Sequence, residues 1–167
     1  VVSPRAAGHQ GKTPELIREG EIPMSQVLIR EVFPVAAGAY ETAGEASAAI
    51  KRKLKQLGVD SGVLRRGSVA SYEVELNLVI HSMGGTLTLT VDPQQVTLCS
   101  KDVGPGIPDI DKAMTEGYST ANEEARSLGF GAGMGLPNMK RNASTFEIQS
   151  QAGVGTSITM GFRLDGK

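Results

Sequence analysis

The 167-residue chain is the length of one ordinary domain, long enough to bury about two-thirds of its unfolded surface and to hold a core without disulfide or metal staples. Its 17 Lys and Arg against 18 Asp and Glu exclude nucleic-acid binding by bulk electrostatics, and 40% hydrophobic with 21% charged residues excludes both wholesale disorder and a membrane-embedded chain. The apolar runs are too short to span a bilayer, the single Cys99 has no internal partner, and no secretory leader pattern is present, so a cytoplasmic location is expected.

Residues 1–23 carry Pro4, Pro14, Pro23 and scattered glycines without an apolar period. They are expected to form a disordered N-terminal extension, with Met24 as an alternative natural start and one folded domain over 24–167. Ala6-Ala7-Gly8-His9-Gln10-Gly11-Lys12-Thr13 matches a relaxed P-loop. Only Val1-Val2 stand where its strand belongs, and Pro14 interrupts the helix that has to follow, so the match is set aside.

Val27 to Phe33 is a β-rich run that Pro34 is expected to end. Ala46, Ile50, Leu54 and Leu57 recur at helical spacing and predict a helix over 39–57, stopped by Gly58. Its cluster Lys51-Arg52-Lys53-Leu54-Lys55, like Arg65-Arg66 beyond it, reads as a solvated face. A second helix over 64–82 is predicted with Val69, Tyr72, Leu76, Val79 and Ile80 as its apolar stripe, ended by Gly84-Gly85.

Alternation from Thr86 to Val91, a turn at Asp92-Pro93, and Val96 to Cys99 predict a hairpin with Asp102 just past its second strand. The stretch 103–135 is irregular, with a short helix at 109–116, and a segment that long inside a compact domain points to function. A helix over 136–143 and a hairpin of 146–150 with 156–162 close the chain. Strand, two helices, hairpin, loop, helix, hairpin is an α+β order: a two-layer sandwich with helices on one face of a mixed, mostly antiparallel sheet.

Three patterns carry chemistry. Glu73 and Asn77 lie one helical turn apart and point the same way. The Asn amide oxygen suits Mg²⁺ that keeps waters and bridges phosphates, and Glu73 suits orientation or deprotonation of an attacking group. His81 continues that face, either near phosphate or as a cap at the helix end, whereas Glu75 is out of phase and expected to face solvent. Asp102, followed by Gly104 and Gly106, is a strand-end carboxylate able to accept from an adenine amino group, beside backbone that can approach a ligand closely; standing alone it would read as a turn.

Gly129, Gly131, Gly133 and Gly135 alternate with Phe130, Ala132 and Met134 and lead into a helix, an anion-holding loop rather than a flexible linker. The spacing half-matches a dinucleotide fingerprint, but no βαβ unit surrounds it. With Gly153-Val154-Gly155-Thr156 closing the series, the spacings suit one bound ATP.

Over roughly residues 26–164 these motifs resemble the N, G1, G2 and G3 boxes of the GHKL superfamily, whose ATP-binding domain is the Bergerat fold. Glu73-x-x-x-Asn77-x-x-x-His81 and Gly133-Met134-Gly135 most resemble the bacterial anti-sigma-factor serine/threonine kinases. The resemblance implies that Asn77 ligates Mg²⁺, Glu73 is the general base, Asp102 reads adenine with support from Thr156, and Gly131, Ala132, Gly133, Met134 and Gly135 hold phosphates. Leu136, Ser119 and Thr120 are counted with the nucleotide contacts, the last two in a lid with Tyr118 expected to close on nucleotide.

It further implies ATP and ADP as ligands, an antagonist protein or sigma factor as partner, and a homodimer. One departure stands out: these kinases commonly carry Arg where this chain has Gly131, and Arg126, Lys140 and Arg141 are the candidate substitutes for that charge. A non-catalytic ATP-gated binder and a histidine-kinase-like ATPase domain are the alternatives to a kinase that phosphorylates Ser or Thr of a small protein.

Overall fold

The computed structural model describes residues 26–119, 121, 123–127 and 134–165; the expected extension 1–23 lies outside them. Five strands, β1 (Ile29–Val35), β2 (Gly85–Val91), β3 (Gln95–Asp102), β4 (Thr145–Gln151) and β5 (Gly155–Arg163), form one sheet in the order β1-β2-β3-β5-β4. All four strand pairings among the described residues are antiparallel, within the mostly antiparallel sheet that the sequence predicts. Helices α1 (Glu45–Gln56), α2 (Ser61–His81), α3 (Ile110–Ala113), α4 (Glu123–Ser127) and α5 (Gly135–Asn142) complete the α+β sandwich.

Strand alternation decides which face is dry. Leu89, Leu98 and Met160 sit opposite one another across three strands, as do Val91, Val96 and Phe162. These side chains are buried together with Ile50 and Leu54 of α1, Val74 and Leu78 of α2, and Leu136 and Met139 of α5. The other sheet face carries Thr88, Cys99 and Thr159 in one cross-strand row, β-branched or small polar residues suited to a pleated surface.

Pro34 does not end β1. It pairs in register with Thr86, which β1 allows because it is an edge strand, where a missing N–H faces outward. The turn between β2 and β3 is closed by Asp92, whose Oδ1 accepts from the N–H groups of Gln94 (2.7 Å) and Gln95 (3.0 Å). α2 starts three residues earlier than its apolar pattern predicted because Asp60 caps it, accepting from Gly62 N at 2.9 Å.

The expected apolar stripe of α2 is out of phase. Val69 and Tyr72 are 37% and 40% exposed, and Val63, Ala70, Val74 and Leu78 are buried with Val79. The helix is covered by the sheet, by α1 and by α5, so burial extends round more of its surface than one stripe.

That enclosure also corrects Glu75, which is 2% exposed rather than solvated. Its Oε1 accepts from Gly44 N (2.8 Å) and Ala46 N (3.1 Å), and its Oε2 from Ser47 N (2.8 Å). The predicted helix over 39–57 breaks at Gly44, which takes the left-handed conformation at φ 101 and offers α1 no side-chain cap. Glu75 supplies the cap from the neighbouring helix, with its negative charge against the positive end of α1. Glu75→Ala is expected to destabilise the fold by about 3 kcal/mol, because three N–H groups lose a charged acceptor, and Glu75→Gln by about half as much. Urea midpoints of the two variants check this; equal midpoints for wild type and Glu75→Ala would refute the cap.

Candidate functional site

A cleft of about 730 Å³ opens between α2, α5, the ends of β3 and β5, and the segment after β3, a size in the usual range for small-ligand sites. Its wall includes Glu73, Asn77 and His81 of α2, Asp102 and Thr156 of the strands, Gly106, Ser119, and Met134, Gly135 and Leu136 at the start of α5. Gly104 is buried behind this wall, with its N–H donated to Val154 O at 3.2 Å. Thr120, Gly131, Ala132 and Gly133 lie outside the described residues.

At one end of the cleft, Glu73 and Asn77 converge on the first turn of α5. A Cβ built on Gly135 would lie 3.4 Å from Glu73 Oε2 and 3.7 Å from Asn77 Oδ1, so the glycine keeps this backbone close to both oxygens. Glu73 Oε1 accepts from Asn138 Nδ2 at 3.2 Å. Burial holds the imidazole of His81, further along α2, below the usual histidine value.

At the other end, Asp102 Oδ1 accepts from Thr156 N at 3.0 Å. Burial pushes the Asp102 carboxyl above the usual range, and the Thr156 N–H pulls it partly back. Thr156 thus meets Asp102 through its backbone, while its hydroxyl bonds Ser150 Oγ at 2.9 Å. Ser150 Oγ also accepts from Ile107 N at 2.7 Å, and Gly153 N donates to Pro105 O at 2.8 Å. The segment after β3 is therefore stitched to the β4–β5 turn. Gly106 makes this possible: φ is +73°, and a Cβ there would lie 2.5 Å from Gln151 O.

The motif reading named Tyr118 in the lid but passed over Lys112, Ser100 and Ile107 of the wall. Lys112 of α3 lies over the Tyr118 ring at 4.9 Å, and both line the cleft with Ser100 and Ile107. Asn138 gave no signal at all, because its relation to Glu73 joins positions 65 residues apart. Of the candidate cationic substitutes for the missing Arg, Arg141 is engaged by Glu116 and Asn138; the Arg126 side chain lies outside the described residues.

The family profile for histidine kinase-, DNA gyrase B- and HSP90-like ATPases matches residues 71–166, more than half of the chain. The chain belongs to this family. The chain is similar to a serine/threonine-protein kinase RsbT of Bacillus subtilis, 32% identical over 108 residues, 62% of this chain and 75% of that protein. An anti-sigma F factor of Clostridium acetobutylicum is 31% identical over 97 residues, 55% of this chain and 64% of the relative.

Among solved structures, the SiaB–SiaC complex from Pseudomonas aeruginosa aligns at a TM-score of 0.54 over 81% of this chain and 89% of that one. At 10% identity this shows a shared fold. No helix among the described residues is long and apolar enough to cross a membrane.

Two outcomes follow from this geometry. Gly106→Ala is expected to lose about 1–3 kcal/mol through the strained φ and the clash with Gln151, and to loosen the segment beside Asp102; thermal melts of the variant check it. Because burial lowers the His81 value in the folded state, the unfolded chain takes up the proton first, and stability falls as pH drops through about 6.5. His81→Gln should flatten urea midpoints measured between pH 7 and pH 5, and an unchanged slope would exclude His81 as its source.

Proposed function

We propose that this protein binds Mg·ATP in the cleft and transfers the γ-phosphoryl group to a Ser or Thr hydroxyl of a small antagonist protein. The observation that carries the reading is the placement of Glu73 and Asn77 against the first turn of α5, at the opposite end of one cleft from Asp102. The relatives named as a serine/threonine kinase and as anti-sigma factors support the same assignment.

The roles follow from the chemistry of each group. Asp102 Oδ1 is engaged by Thr156, and its other carboxylate oxygen is suited to accept from an adenine amino group. The N–H groups at the start of α5 favour negative charge, which suits the phosphates. Among the described residues no group of three His, Cys, Asp or Glu is gathered to cage a cation, while Asn77 offers one neutral oxygen beside the Glu73 carboxylate. That donor set fits Mg²⁺ held mainly by phosphates and water, with Asn77 as its protein ligand. Bound there, the ion would offset charge on the phosphates.

Glu73 acts as the base. The acceptor hydroxyl loses its proton to Glu73 Oε2 as its oxygen bonds the γ-phosphorus, the bond from that phosphorus to the bridging oxygen breaks, and ADP leaves. Ser119 and Tyr118 line the cleft wall, which supports reading them as contacts to the nucleotide. A cytoplasmic homodimer acting on an antagonist or sigma-factor partner is the assembly this reading implies.

Incubation with γ-labelled ATP and a small antagonist-type protein from the same organism tests the reading. Label should appear on the acceptor and fall by about 10²–10⁴-fold in Glu73→Gln, with ATP affinity within twofold of wild type. Asn77→Ala should weaken binding of Mg·ATP at least tenfold and leave metal-free ATP binding little changed. Tight ATP binding with no label on the acceptor would instead favour an ATP-gated binding protein.

A further inference from the structure

We propose that Asn138 is a positioning residue for Glu73, itself held in register by the Arg141–Glu116 pair at the rim of the cleft. The catalytic part of this proposal rests on the kinase reading above; the positioning part does not.

Three polar contacts form a continuous line. Arg141 Nη2 pairs with Glu116 Oε1, Arg141 Nη1 donates to Asn138 Oδ1 at 3.3 Å, and Asn138 Nδ2 donates to Glu73 Oε1 at 3.2 Å. Only one orientation of the Asn138 amide satisfies both neighbours, since a guanidinium only donates and a carboxylate only accepts. The amide also has a firm base: Asn138 N donates to Met134 O at 2.9 Å, and its own carbonyl accepts from Asn142 Nδ2 at 2.8 Å.

The consequence falls on Glu73. A glutamate on a helix has several rotatable bonds, and a carboxylate in an open cleft would sample many directions. Tying Oε1 to Asn138 leaves Oε2 as the oxygen facing Gly135, a stretch of backbone that Asn77 Oδ1 also approaches and where the acceptor hydroxyl has to arrive. The line starts at Glu116, two residues before Tyr118 and four after Lys112, both of which line the cleft. It therefore joins the rim that meets the nucleotide to the base that acts on the acceptor.

The outer pair is expendable for folding. Arg141 and Glu116 side chains are 58% and 60% exposed, and ion pairs at such exposure add little stability. Glu116→Gln and Arg141→Ala can thus perturb the line from outside while the fold stands.

The test combines a spectroscopic and a kinetic readout on the full chain. In ¹⁵N–¹H spectra the Asn138 side-chain amide should shift in Glu73→Gln, and again in Glu116→Gln and Arg141→Ala, at wild-type urea midpoints. In the labelled-ATP assay, Asn138→Leu should lower kcat about tenfold with KM for ATP within twofold, and adding Arg141→Ala to it should cost no more, because both act through one path.

An Asn138 amide indifferent to Glu73→Gln would overturn the positioning claim. Wild-type kcat in Asn138→Leu, with Glu73→Gln inactive, would overturn its catalytic consequence while leaving the kinase reading intact. If Glu73→Gln itself transfers phosphate normally, the kinase reading fails, and the amide shifts alone decide whether Asn138 positions Glu73.

Discussion

Helix α2 holds two glutamates two residues apart, and the molecule depends on their facing different ways. Residues at that separation are rotated by about 200° on an α-helix. Glu75 turns toward α1 and takes three of its N-terminal N–H groups, and Glu73 turns toward the cleft. The first contact fixes α1 on α2, and with it the rotation of α2 about its own axis. Because that rotation is set by a buried charged cap and by the packing of Val74 and Leu78 against the sheet, Asn77 and Glu73 are held toward α5 by the core itself.

The other end of the cleft is built by a different device. Asp102 stands at the end of β3; Val103 still pairs with Met83 and Gly84, and residues 104–109 then run outside any helix or strand. The β4–β5 turn supplies the missing partners: Val154 O for Gly104, Ser150 Oγ for Ile107, and Thr156 N for Asp102. A segment tied through backbone groups tolerates varied side chains on its open side, which is how one framework can admit a ligand closely at Gly106. Burial of Asp102 is the cost of this arrangement. Its ionisation opposes folding as pH rises through the raised value, and a donor arriving on the open oxygen would offset that penalty.

The departures from sequence reading share one cause. Pro34, the phase of α2 and the burial of Glu75 were each judged against water or against an ideal single element, and each is decided by a neighbour distant in the chain. Glu75 left no trace, since the helix start that it caps, at Gly44, shows only in the structure. Asn138 left none as well, since an amide on a short helix carries no mark of what it meets.

Periodicity and punctuation determined the order of the main elements and the α+β class, motif spacing singled out Glu73, Asn77 and Asp102, and the resemblance to the GHKL boxes added Thr156. They suffice because alternation, helical spacing and glycine stops are local, and because a motif needs only its own spacing to be visible. Tertiary structure alone decided that Glu75 caps a neighbouring helix, that Thr156 serves Asp102 by its backbone, and that Asn138 and Arg141 reach from α5 to Glu73 and Glu116. Those contacts join residues dozens of positions apart, and hydrogen-bond geometry between them exists only once the sheet and α2 have set the distances.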